Sequence, residues 1–311
     1  MKKTHLFAVK FLVCAVLMGV LFSRMDLGRF LNILSSVNPV YFGLAFGLLF
    51  ANTCLSAFKW KLLLEADGVR LSFGFLLRSY LVGTFMNTFL PSSIGGDVFR
   101  IVDVARESRS AAKSAASVFI DRASGFFALS TIGFAASLAG MSLLREPLLQ
   151  GTLLGVFALI FSAFVALFHP GLHRVASACL DRIPVSRPRE IFDKLTASLN
   201  AYRGRKMLLL EIVSISFAFQ GMVVVIVYLY SRGLLLEARF LWFLIFIPII
   251  TVVESIPVTP FALGTRDWGY VFFFTRTGWS MEQAESLAIT YVLMTVLYSL
   301  AGGVIFVLRR R

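Results

Sequence analysis

Asn87-Thr88-Phe89-Leu90-Pro91-Ser92-Ser93-Ile94-Gly95-Gly96-Asp97-Val98-Phe99-Arg100 is the stretch whose reading decides the fold. It begins as an apolar run, breaks at Pro91 and at Gly95-Gly96, and ends on an acid and a base. Ionisable residues inside membrane-embedded segments are rare and mark functional sites by default. Pro withholds a backbone donor and stops an incoming helix, whereas Gly permits the backbone angles of a tight tip. The stretch therefore predicts the tip of a re-entrant helical hairpin. Pro257-Val258-Thr259-Pro260-Phe261-Ala262-Leu263-Gly264-Thr265-Arg266-Asp267 has the same order of breakers and charges, and predicts a second tip.

The composition fits a membrane protein. Hydrophobic residues make up 58% of the 311, charged residues 15%, and Phe alone occurs 32 times. A soluble domain is excluded, because apolar runs of spanning length recur along the chain. The net charge of +13 would suggest nucleic acid in a soluble protein. Here the basic residues lie mostly in short loops, where they set orientation and meet anionic head groups. No basic-aromatic binding module is visible, so nucleic acid is not an expected partner. Cys14, Cys54 and Cys179 have no metal or redox spacing, and His5, His169 and His173 fall in loops or at membrane edges. Neither a metal nor a cofactor is expected. Met1-Lys2-Lys3 precedes an apolar run that Lys10 interrupts, with no small-x-small site behind it, so the first span is expected to remain uncleaved.

Working outward from the two tips, full spans are expected near 6–22, 40–58, 114–140, 148–168, 208–230 and 284–308. A polar link joins the first two, and a basic linker opens at Lys59-Trp60-Lys61. The hairpins occupy 73–109 and 240–276. A basic insert at 169–206 is expected on the cytoplasmic side as one or two short surface helices. If both hairpins return to their own side, one face collects 20 Lys and Arg and the other 6. That contrast places both termini and the insert in the cytoplasm.

Aligning Pro91 with Pro260 gives an offset of 169, which also carries position 40 to 209 and 114 to 283, where further spans begin. The fold class expected is an all-α polytopic membrane protein of about six full transmembrane helices plus two re-entrant hairpins. It forms a single membrane domain over 1–311, with repeat one at 1–140 and repeat two at 148–308. The second copy starts three spans after the first and so on the opposite face, which gives the two inverted topology, as in many transporters.

The candidate chemistry lies at the tips. Asn87, Asp97, Arg100, Asp121, Arg122, Arg266 and Asp267 form the expected lipid head-group set, in which the arginines take phosphate and the aspartates orient them. The plainer alternative is that Asp97–Arg100, Asp121–Arg122 and Arg266–Asp267 are local ion pairs that fasten hairpins to spans. Glu254 is a candidate proton carrier, or a partner for Arg266. Pro91, Gly95, Gly96, Pro257, Pro260 and Gly264 build the tips, and the helix that leaves each tip presents free N–H groups to an anion. Ser124 has no histidine near it in sequence, so a serine hydrolase is not expected. Phe272-Phe273-Phe274 is expected to face lipid or pack between helices.

These motifs resemble the lysylphosphatidylglycerol synthase transmembrane-region family, whose members are described as flippase-like integral membrane proteins. The residues that carry the likeness are Asn87 to Arg100, Phe119-Ile120-Asp121-Arg122-Ala123-Ser124-Gly125, and Pro257 to Asp267. Phe261-Ala262 stands where the family usually has a glycine pair, which narrows the second tip. The resemblance implies lipid translocation. The chain is expected to lack the aminoacyl-transfer domain of full-length synthases, and so to be no enzyme itself. The expected function is movement of an anionic phospholipid or polyprenyl-phosphate-linked lipid across a bacterial or archaeal cytoplasmic membrane. The other expectation is a non-transporting scaffold for a separate glycosyl- or aminoacyl-transferase. Anionic lipids, a second copy of the chain and such a transferase are the expected partners.

Overall fold

The computed structural model describes residues 19–20, 23, 26–89, 95–140, 147–167, 205–255 and 263–309. Expected span 6–22, the basic insert up to residue 204 and the tip residues Pro91, Pro257 and Pro260 lie outside them or nearly so. Regular structure among the described residues is helical: α1 (Leu27–Ser35), α2 (Pro39–Ala66), α3 (Phe73–Phe89), α4 (Gly95–Ser108), α5 (Ala111–Ala139), α6 (Pro147–Leu167), α7 (Lys206–Gly233), α8 (Phe240–Ser255), α9 (Thr265–Phe274) and α10 (Met281–Leu308). A short 3-10 turn, Thr275–Thr277, follows α9.

Four of these, α2, α5, α7 and α10, are the described helices long and apolar enough to cross a membrane. Their 28 or 29 residues reach about 42 Å at 1.5 Å per residue, more than the roughly 30 Å of a bilayer core. The starts are capped locally. Asn38 Oδ1 accepts from Val40 N–H at the head of α2. Ser280 and Gln283 cap α10 reciprocally, at 3.3 and 2.9 Å.

Two boundaries differ from the sequence expectation. The segment 59–66 is helix rather than linker, because Lys59 and Trp60 are buried inside the protein instead of marking an exit to water. The polar link before α2 contains α1, whose Asp26 cap accepts from the N–H groups of Gly28 and Arg29 at 2.9 and 3.1 Å.

The chain divides into two compact units. One comprises 53–80 and 97–220. Its core joins Trp60, Leu64, Val69, Leu76, Val104 and Val118, and the Trp60 indole N–H donates to Ser117 Oγ at 2.9 Å. In the same unit α5 packs on α6, with Gly133 against the ring of Phe157. The other unit comprises 1–52, 81–96 and 221–311. There α8 packs on α9, α9 on α10, and α10 on α1. An aromatic core of Phe243, Phe246, Tyr270, Phe273, Phe274 and Trp279 fills it, with Phe274 and Trp279 stacked at 4.8 Å. Of the Phe272–Phe274 run, Phe273 and Phe274 are buried and Phe272 is exposed. Inside lipid, where apolar surface gains little by leaving the solvent, such packing and internal hydrogen bonds hold helices together.

The helix order repeats. Helices α2, α3, α4 and α5 have 28, 17, 14 and 29 residues; α7, α8, α9 and α10 have 28, 16, 10 and 28. Corresponding starts are 167, 167, 170 and 170 residues apart (206 against 39, 240 against 73, 265 against 95, 281 against 111). The step from 167 to 170 arises because 90–94 separate the first pair of short helices and 256–264 the second.

Candidate functional site

The buried charges form a cluster in each unit. In the unit of 53–80 and 97–220 the centre is Asp121, buried on α5. Lys59 Nζ lies 2.8 Å from its Oδ1, and Arg100 Nη2 lies 3.0 Å from its Oδ2. Lys59 Nζ also donates to the Asp121 carbonyl and to Ser216 Oγ, both at 3.1 Å. The Arg100 guanidinium sits over the rings of Trp60 and Tyr80, 4.2 and 4.1 Å from their centroids, which spreads its charge over two π-faces. Its Nη1 is 3.5 Å from Asp97 Oδ1.

Asp97 then turns outward. Both its oxygens accept from Arg122, from Nε at 2.7 Å and Nη2 at 3.0 Å, a fork that fixes the guanidinium plane. The relay is therefore Lys59, Asp121, Arg100, Asp97, Arg122: three cations against two anions. Lys59, Asp121 and Arg100 are buried and Asp97 partly so, but the Arg122 side chain is 48% exposed. Asp121 and Arg122, neighbours in sequence, thus find their ion-pair partners on other helices, while the local Asp97–Arg100 pair is present.

In the other unit, Arg266 and Asp267 open α9 and both are buried. Gly264, at φ +82°, turns the chain into the helix, and its N–H donates to Asp267 Oδ2 at 2.5 Å. Arg266 Nη1 donates to Glu254 Oε1 at 3.3 Å, and its Nη2 is 3.6 Å from Asp267 Oδ1. The guanidinium carbon lies 5.4 Å from the Tyr291 ring centroid. Arg266 Nε and Nη2 and Asp267 Oδ1 have no hydrogen-bond partner. On α10, Glu285 is fully buried with neither oxygen hydrogen-bonded.

Asn87 ties the end of α3 to the start of α4: its Oδ1 accepts from Gly96 N–H at 2.7 Å. A side chain at Gly96 would collide with the Gly83 carbonyl and with Asn87 itself. The N–H groups expected to face an anion are thus partly taken, Gly96 by Asn87 and Gly264 by Asp267.

The two sets correspond by position. Asn87 and Glu254 are each the fifteenth residue of their helix, Gly96 and Arg266 each the second, Asp97 and Asp267 each the third, and Asp121 and Tyr291 each the eleventh. The contact from fifteenth to second residue is made twice, once as Asn87 with Gly96 and once as Glu254 with Arg266.

Asp97, Arg100, Asp121 and Arg122 therefore stand together, as do Glu254, Arg266 and Asp267. Two members were not anticipated. Lys59 sits in a Lys-x-Lys pattern that mimics a membrane exit. Glu285 follows Glu282 at a spacing of three, which puts both acids on one face of the helix with Glu285 a turn deeper into the apolar run, a signal that was available.

Among the described residues no three His, Cys, Asp or Glu side chains are grouped so as to hold a metal ion. Several helices long and apolar enough to span, with buried charges that mostly pair with one another, define a multi-pass membrane protein. The chain belongs to the family described as the lysylphosphatidylglycerol synthase TM region, whose profile matches residues 7–303. No curated protein and no solved structure matches it.

Proposed function

We propose that the chain is a lipid translocase that moves an anionic phospholipid or polyprenyl-phosphate-linked lipid between leaflets of a bacterial or archaeal cytoplasmic membrane. The observation that carries this reading is Arg122. It is the twelfth residue of a 29-residue apolar helix, half exposed, and clamped flat by Asp97 at the head of a short helix. A preorganised guanidinium at the edge of a cationic cluster suits a phosphate, which it meets through its remaining N–H donors. In the second copy Arg266, with Nε and Nη2 unsatisfied, offers the same chemistry.

The short helices support re-entrant hairpins. At 17, 14, 16 and 10 residues, α3, α4, α8 and α9 fall below the roughly 20 that cross a bilayer core. Broken backbone at that depth survives where protein or a water-filled cavity satisfies it, as Asn87 and Asp267 do here. In this reading the repeats have opposite sense, alternating access exposes one face at a time, and no bond in the lipid is made or broken.

The test is transport of tagged phosphatidylglycerol in vesicles that contain the purified chain. Arg122→Gln should slow it at least about tenfold, the loss expected when a charge-assisted contact is removed, while Arg122→Lys keeps part of it. An unchanged rate in Arg122→Gln would overturn the reading. The family's description as a region of a synthase favours a second one, a scaffold for a separate transferase. A scaffold moves no lipid in the same vesicles.

A further inference from the structure

The charges of the second cluster do not balance. Arg266 supplies one positive charge to Glu254, Asp267 and Glu285, and the first two already flank it at 3.3 and 3.6 Å. Glu285 is fully enclosed, has no hydrogen-bond partner on either oxygen, and lies within electrostatic reach of Asp267 and Arg266. If all three acids are ionised, the cluster is doubly negative and repels the anion that Arg266 would otherwise attract.

The groups around Glu285 show which acid can relieve this. On α9, Asp267 is tied through Oδ2 to the Gly264 N–H that starts the helix, a contact that needs an acceptor. On α8, Glu254 is engaged with Arg266. On α10 itself, Tyr291 faces Arg266, and Glu282 accepts the Asp26 N–H. From α1, Asp26 and Arg29 act on Glu282. Tyr270 of α9 and Tyr230 of α7 are buried phenols in the same unit. Glu285 alone among the acids has no structural contact to lose. A carboxyl in such a place is costly to keep charged and readily made neutral by a proton.

We propose that Glu285 is a proton-binding residue coupled to the anion site at Arg266. It takes a proton from the aqueous phase when an anionic head group pairs with Arg266 and returns it when the head group leaves. This rests on the reading of Arg266 as a head-group site. Each binding event then carries one proton in and each release carries one out, with no other species changed.

The test uses the full chain in detergent at low buffer strength, with short-chain phosphatidylglycerol as the probe. Lipid binding is followed by calorimetry and proton uptake by a pH dye. The wild type should take up about one proton per lipid bound, with affinity rising up to about tenfold for each unit the pH falls. Glu285→Gln, which has the shape of the neutral acid, should bind in a pH-independent way with no uptake. Binding by the wild type without proton uptake overturns the coupling and leaves the head-group reading standing. A requirement for sodium in place of proton uptake overturns it equally. Uptake that survives in Glu285→Gln and disappears in Glu254→Gln moves the proton to Glu254 and defeats the assignment. A wild type that binds no phosphatidylglycerol overturns the head-group reading and this inference with it. Loss of all binding in Glu285→Gln, with binding kept in Glu285→Asp but without proton uptake, marks Glu285 as structural and also defeats it.

Discussion

Asp121 is the shared counter-ion of two buried cations that come from different helices, Lys59 of α2 and Arg100 of α4. Replacing it by Asn leaves both without a full counter-charge, whereas replacing Lys59 by Met leaves Asp121 still paired with Arg100. Removing one partner of a buried ion pair costs about 3–5 kcal/mol. Asp121→Asn should therefore lower the midpoint of thermal unfolding in detergent markedly, and Lys59→Met should lower it less. In the double variant one uncompensated cation is gone, so its midpoint should lie above that of Asp121→Asn. Additive losses would mean that the two side chains are not coupled. Sequence pattern picked out Asp121 because an acid inside an apolar run is conspicuous. Lys59 was misread for a physical reason: its partner is 62 residues away, and a lysine followed by Lys61, Glu65 and Asp67 has the composition of a helix leaving the membrane.

At the scale of the helix, the junction between α3 and α4 depends on two small features. Gly96 lets the start of α4 lie against the Gly83 carbonyl, and Asn87 accepts the Gly96 N–H. Gly96→Ala forces a methyl group into that contact, and overpacking of this kind costs about 1–3 kcal/mol. Asn87→Ala removes a capping acceptor, a loss of about 1 kcal/mol. Hydrogen exchange should therefore speed up at the first amides of α4 in both variants, more in Gly96→Ala, while the amides of α6 keep their rates. Equal exchange across the whole chain would instead indicate global destabilisation. The existence of four short helices in two pairs was legible, since Pro and Gly interrupt apolar runs too short to span. The offset of 169 lies between the observed start-to-start spacings of 167 and 170, because 90–94 separate α3 from α4 and the longer stretch 256–264 separates α8 from α9. Helix α1 was missed because its 9 residues are too short a stretch to read as a span, and Gly28, Arg29 and Asn32 interrupt its apolar positions Leu27, Phe30, Leu31, Ile33 and Leu34.

For the molecule as a whole, the question is which side each loop faces. Charge asymmetry rests on loops, and two of the basic residues counted for the cytoplasmic face, Lys59 and Arg100, are buried in the protein. Removing them from the 20 leaves 18 against 6, so the bias persists. The helix α7 gives a direct test, since Arg205 precedes it, Glu237 follows it, and both are exposed. In a chain with Cys14, Cys54 and Cys179 changed to Ser, Glu237→Cys should react with a membrane-impermeant maleimide in intact cells. Arg205→Cys should react only after the membrane is opened. The reverse pattern would invert the chain and put the basic insert outside, against the charge rule. Labelling of both in intact cells would mean that α7 does not cross, and with it would fall the proposed opposite sense of the two repeats, because that proposal depends on an odd number of crossings between α3–α4 and α8–α9.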